Sequence, residues 1–199
     1  MQLNNTISYY NQNAESFSST TKDVEFHQTQ DRFINKLPRG SLILDFGCGS
    51  GRDTKYFRYR GYQVEAVDGS EELCKIASEL AGIPVKCMLF QNLSEVEKYH
   101  GIWACSSILH LPQMELHEVF RKMMIALKPD GYLYTSFKYG EFSGMRNGRF
   151  FTDMTEEIFN GFIQEHSGLS LEEMWISTDV RPGRGDEKWL NQILKKTNF

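Results

Sequence analysis

The stretch Asp45-Phe46-Gly47-Cys48-Gly49-Ser50-Gly51-Arg52-Asp53 constrains this chain more than any other. It follows the apolar run at 42–46, which reads as a buried strand, and it opens a helical pattern. Glycines at alternate positions let a backbone turn sharply and press against a ligand. The amides that begin the next helix add hydrogen-bond donors and positive potential at the same place. An open α/β sheet binds its ligand there, beyond the carboxyl end of a strand. The spacing is selective. A dinucleotide fingerprint, Gly-x-Gly-x-x-Gly, needs its third glycine where this chain has Arg52, and no Gly-x-x-x-x-Gly-Lys phosphate loop occurs. A nicotinamide-dependent reductase is therefore disfavoured.

Further strands are predicted at 62–68, 85–90, 102–106 and 132–137, with helical patterns between them. Leu73, Ile76, Ala77 and Leu80 share one helix face, closed by Gly82-Ile83-Pro84. Leu116, Val119, Phe120, Met123, Met124 and Leu127 recur at helical spacing until Lys128-Pro129-Asp130-Gly131 breaks the run. Two more strands, 169–178 and 188–196, flank the turn-rich 181–186. The alternation predicts an α/β fold: a Rossmann-like, doubly wound, mostly parallel seven-stranded sheet with an antiparallel C-terminal strand and helices on both faces. A helix is predicted over 4–19, carrying Tyr9, Tyr10, Ala14 and Phe17, and another over 27–37. Residues 140–151 read as a loop, and 155–166 as a helix capped from Thr152-Asp153 or Thr155. With no repeat or linker, the 199 residues are expected to form a single domain.

Composition narrows the function. A hydrophobic fraction of 40% supports a core. The net charge of −4 argues against a surface built mainly for nucleic acid. No stretch approaches a membrane span, and Met1-Gln2-Leu3-Asn4-Asn5 lacks a signal peptide's basic and apolar regions, so a cytoplasmic protein is expected. The four cysteines form no Cys-x-x-Cys and the histidines no His-x-x-x-His, so neither a metal site nor disulfides are expected. The second strand ends in Asp68, where a carboxylate can accept hydrogen bonds from a ribose diol; capping the helix that begins near Ser70 is the alternative.

The run 43–51 resembles the first motif of the class I S-adenosylmethionine-dependent methyltransferases. Val67-Asp68-Gly69-Ser70 resembles their second motif, 99–112 their fourth, and 127–133 the stretch before the fifth strand. The resemblance spans about 8–137 in motifs and continues in element order to the C-terminus. Within the family it is most similar to small bacterial enzymes of the tellurite-resistance and small-molecule type. It implies S-adenosyl-L-methionine as cofactor, with 1–38 as N-terminal cap helices, 39–138 as the cofactor-binding core and 139–199 on the acceptor side. Asp45 would orient the loop or meet the methionine end of the cofactor, and Gly47, Cys48, Gly49 and Gly51 would bring backbone against it. Asp68 would hold the ribose hydroxyls, with Gly69 among the cofactor-binding residues. Gln91 and Asn92 fall where the family often has an acid beside adenine, and Cys105 at an often polar position. Tyr10 would close over the methionine portion; an aromatic on a docked helix is the plainer reading.

A sulfonium already makes its methyl group electrophilic, so the protein must chiefly hold the acceptor in line and exclude water. The expected acceptor is a small molecule. Arg146, Arg149, Arg181 and Arg184 are candidates to recognise an anionic group on it, provided that 169–178 runs parallel to the earlier strands; the alternative is pairing with Asp153, Asp186 or Glu187. His110 is the candidate catalytic base, against a packed histidine at the Leu111-Pro112 turn. A Cys105–His110 pair and a nucleic-acid acceptor are disfavoured, and a cofactor-binding protein without turnover, or a tRNA or protein methyltransferase, are the alternatives. Oligomeric state is left open.

Overall fold

Strand β1 (Leu42–Phe46) lies inside a seven-stranded sheet in the computed structural model, which describes residues 2–197. The others are β2 (Gln63–Asp68), β3 (Val85–Cys87), β4 (Tyr99–Ala104), β5 (Leu127–Lys138), β8 (Leu169–Thr178) and β9 (Lys188–Lys196), in the order β3-β2-β1-β4-β5-β9-β8. The pairs β1–β2, β1–β4, β2–β3 and β4–β5 are parallel. β9 runs antiparallel to both β5 and β8. β8 is thus parallel to β5, and the connection after it emerges at the same end of the sheet as the glycine loop. That is the condition the arginine expectation required.

The chain winds outward from β1 through β2 to β3, then returns to place β4 on the other side. Loops diverge at that reversal and leave a crevice above the ends of β1 and β4. Alternation along the inner strands divides the core into two layers. Leu44, Ile102 and Leu133 face helices α6 (Gln113–Ala126) and α7 (Glu156–Gln164), where Leu116, Val119, Phe120 and Phe159 are fully buried. Ile43, Trp103 and Tyr134 face α3 (His27–Ile34) and α4 (Arg52–Tyr59) through Phe33, Ile34 and Phe57. α5 (Glu71–Ala81) covers Ala66 with Ala77.

Several boundaries differ from the sequence expectation. The helix expected over 4–19 is two, α1 (Gln2–Gln12) and α2 (Ala14–Thr21). Asn13 separates them, its side-chain amide donating to the Tyr9 carbonyl at 2.8 Å, a local bond that competes with regular helix geometry. β3 stops at Cys87, because the chain turns into a 3-10 segment, Phe90–Asn92, along the sheet edge. β5 begins at Leu127, opposite Tyr99; the pairing shifts register before Gly101 meets Tyr132, and Asp130 takes a φ of 60° between them. The helix-breaking residues 128–131 thus form an irregularity inside a strand. The loop expected over 140–151 is instead largely a hairpin, β6 (Ser143–Arg146) and β7 (Arg149–Thr152). Among the described residues no helix is long and apolar enough to cross a membrane.

Candidate cofactor and acceptor cleft

A cleft of about 640 Å³ opens over the ends of β1 and β4, a size typical of small-molecule sites. The glycine loop and the start of α5 form one wall. α1, the β6–β7 hairpin and the connection between β8 and β9 form the other. The loop is stitched to β2: the Gly47 and Cys48 amides donate to the Val67 carbonyl at 2.9 and 3.0 Å. Gly47 has a φ of 86°, and a side chain there would put its Cβ 2.4 Å from that of Ser107. Only glycine fits this turn. Asp68 accepts the Gly49 amide on one carboxylate oxygen and the Ser70 amide on the other, both at 2.9 Å. The carboxylate lines the cleft wall and, with four acceptor positions, can take further donors there. Ser70, not Asp68, caps α5, its hydroxyl accepting from the Leu73 amide at 3.2 Å. Burial raises the Asp68 pKa, opposed by the amides of Ser70, Gly49 and Gly69.

Below the loop sits a charged floor that the sequence reading missed. Asp53, buried in the first turn of α4, accepts from Gln30 at 2.7 Å, from Arg52 at 2.7 and 3.0 Å, and from the Trp103 indole at 2.8 Å. Burial alone would raise its pKa; the Arg52 charge and these hydrogen bonds hold it below the ordinary value. Arg52 reaches the cleft wall beside Cys105, its guanidinium 4.7 Å from the centre of the Phe26 ring. The available signal was an Arg-Asp pair immediately after the last loop glycine. Asp45 does not line the cleft. It accepts the Thr54 hydroxyl at 2.5 Å, and burial and the nearby Asp53 push its pKa up. It holds the loop against α4. Gly51 likewise lies off the wall, packed against Ala77.

The structure brings Tyr10, Gly47, Cys48, Gly49, Asp68, Gly69, Cys105, His110 and all four loop arginines to the cleft. Gln91 and Asn92 are a correction: neither lines it. The 3-10 turn carries Gln91 toward α6, where its side-chain amide donates to Glu115 and its backbone carbonyl accepts from Lys122. Met88, Leu89 and Phe90 form that wall instead. Cys105 and His110 make no pair. Burial pushes the Cys105 thiol up to about 12, and the hydrogen-bond partners of its sulfur among the described residues are Ser106 and Ser136. His110 Nδ1 donates to the Phe150 carbonyl at 2.6 Å, so its Nε2 accepts from the Tyr10 hydroxyl at 2.8 Å. Burial lowers its pKa to about 4, leaving a neutral ring with both nitrogens engaged. That arrangement does not supply a free base. Arg149 Nη1 in turn donates to the Tyr10 oxygen at 3.3 Å.

Three of the loop arginines have acid partners. Arg146 forms a two-pronged bond with Asp153 at 2.9 and 3.0 Å, Arg181 pairs with Asp179, and Arg184 lies 3.5 Å from Glu187. The N-terminal helices close the top. Tyr10 and Phe17 meet edge to face, the Ser70 hydroxyl donates to Asn11 at 2.6 Å, and the Phe150 amide donates to Thr6 at 3.1 Å.

A family profile described as a methyltransferase domain matches residues 43–131, the segment holding the glycine loop, Asp68 and Cys105. The sheet order and the cleft above β1 and β4 agree with it. Over this segment, under half of its length, the chain is similar to methyltransferase domains. The cofactor that this likeness brings is S-adenosylmethionine. The chain is 26% identical over 142 residues to YqeM of Bacillus subtilis, a methyltransferase by designation with no acceptor in its name. That match covers 64% of this chain and 58% of YqeM, so the chain spans little more than half of that relative. Its fold is similar to the 1,6-didemethyltoxoflavin N1-methyltransferase of Burkholderia thailandensis, solved with S-adenosylhomocysteine: TM-score 0.77, 20% identity, covering 96% of this chain and 85% of that one. It is also similar to a TehB-like methyltransferase of Corynebacterium glutamicum: TM-score 0.68, 21% identity, covering 96% and 98%. The fold thus follows the plan expected from the sequence, and the acceptor must be read from this chain's own residues.

Proposed function

We propose that this chain transfers a methyl group from S-adenosylmethionine to a small molecule that carries an anionic group. The observation that carries the reading is one continuous cleft joining the Gly47–Gly49 loop and Asp68 on one side to Arg146, Arg149, Arg181 and Arg184 on the other. The residues fit the cofactor. The open acceptor positions of Asp68 suit the ribose hydroxyls, and Leu73, Met88, Leu89 and Phe90 offer an apolar slot to the base. Arg52, on the wall beside Cys105, suits the carboxylate of the amino-acid end. Bound there, the cofactor supplies a methyl group activated by its sulfonium.

The chain's own residues then do what transfer requires. Tyr10, Phe17 and Phe26 on the wall exclude water, which strengthens every charge interaction inside. His110 acts by positioning: it fixes the Tyr10 ring through a hydrogen bond and stays neutral while doing so. The hairpin and the β8–β9 connection hold the acceptor in line.

The test begins with calorimetry of S-adenosylhomocysteine binding. Asp68→Ala is expected to weaken it by about tenfold or more, as for loss of a charged hydrogen-bond partner, with unchanged circular dichroism. Labelled-methyl transfer is then screened over carboxylates, phenols, thiols, amines and tRNA. Transfer to a small acid supports the reading. Binding without any transfer, or transfer to tRNA alone, overturns it.

A further inference from the structure

We propose that Arg149 is the acceptor anchor, taking a planar monoanion such as a carboxylate or phenolate on the molecule to be methylated. This rests on the methyl-transfer reading and adds the chemistry of the acceptor and the residue that selects it.

The first observation concerns partners. On the cleft wall Arg52 pairs with Asp53 and is assigned to the cofactor's carboxylate, while Arg146 pairs with Asp153, Arg181 with Asp179, and Arg184 with Glu187. Lys138 pairs with both Asp179 and Glu187. Among the described residues no carboxylate lies within 4.0 Å of the Arg149 guanidinium. Lys188, the other wall cation with no such partner, is exposed, whereas Arg149 is half-buried. Its Nε is buried with no hydrogen-bond partner, and its one bond is the long contact to Tyr10. A guanidinium offers five donors in a fixed fork, so most of this one's capacity is unspent.

The second observation is the register. Arg149 stands directly opposite Arg146 across the Asn147-Gly148 turn. Like charges at directly opposed positions destabilise a hairpin. Asp153 neutralises only Arg146, so an anion at Arg149 would relieve what remains. Third, the guanidinium carbon lies 4.5, 5.1 and 5.6 Å from the ring centres of Tyr9, Phe151 and Tyr10. These rings keep water away and offer flat surfaces to an unsaturated body attached to the anion. One uncommitted guanidinium suits a monoanion. A phosphate dianion would need a second cation, and the nearest candidates already hold acids.

Calorimetry on protein saturated with S-adenosylhomocysteine tests this, with benzoate, benzamide and inorganic phosphate as probes. Benzoate is expected to bind at least about tenfold more tightly than benzamide or phosphate, the scale of one charge-assisted pair. Arg149→Gln is expected to lose that preference while holding S-adenosylhomocysteine within about twofold; Arg149→Lys, which keeps the charge without the fork, recovers part of it. Arg121→Gln on α6 serves as a charge control with no change. Equal binding of benzoate and benzamide, no benzoate binding, or unchanged benzoate affinity in Arg149→Gln overturns the assignment. Should Arg149→Gln fail to fold, the Arg149→Lys series decides in the same way. Failure of S-adenosylhomocysteine to bind the parent protein would instead remove the methyl-transfer reading.

Discussion

Asp53 shows how much one buried carboxylate can organise. It ties α3 through Gln30, the sheet through Trp103 and the cleft wall through Arg52. Replacing it with Asn keeps the shape but leaves the Arg52 charge buried without its counter-ion. Asp53→Asn is expected to lower stability by about 3–5 kcal/mol, the cost typical of breaking a buried pair. Urea unfolding measures it, and an unchanged midpoint would show that solvent reaches Arg52. The site residues legible in the sequence were those with a local signature. Gly47 and Asp68 announce themselves by position after a strand, whatever lies opposite. Arg52 was read only as a glycine that is missing, because its meaning comes from Gln30 and Trp103, far away along the chain.

At the scale of elements, the β6–β7 hairpin is the piece that brings Arg146 and Arg149 over the cleft. Its two-residue turn, Asn147 at a φ of 51° and Gly148 at 78°, has both residues in the left-handed region. Such turns match the twist of the flanking strands, and Asn-Gly is their strongest sequence signal. The signal was present in the stretch expected to be loop, hidden because the flanking strands have only four residues each. A side chain at Gly148 would also crowd Tyr9, placing a Cβ 3.1 Å from its ring. Gly148→Ala is expected to cost about 1–2 kcal/mol in urea unfolding, from the left-handed backbone and the contact together. Gly183→Ala, at a φ of 75° with open space around it, isolates the backbone part. Equal losses in the two would remove any packing role for Tyr9 against this turn.

Across the whole molecule, buried imidazoles link folding to pH. Burial lowers the pKa of His110 to about 4, and burial with the neighbouring His117 does the same for His166. An unfolded histidine takes a proton near pH 6.5 that the folded one refuses until about 4. Stability present above 6.5 is therefore lost as the pH falls toward 4, by at most about 1.4 kcal/mol per pH unit for each ring. Asp45, with its pKa raised, works in the opposite direction over this range. The difference between parent and His110→Gln isolates one imidazole: the variant's stability is expected to fall less steeply between pH 6.5 and 4 in urea titrations. Parallel curves would mean that His110 titrates normally in the fold. The same long-range geometry marks the limit of what sequence determined. By itself the sequence set the alternation of strands and helices, the turn after β1 and the acid at the end of β2, since periodicity and left-handed φ are properties of neighbouring residues. Only the tertiary structure decided that Tyr10 meets His110, that Gln91 turns away toward α6, and which arginines keep a free fork. Those outcomes depend on side chains from distant segments competing for one another, and a charge's partner is fixed by where the folded backbone places both.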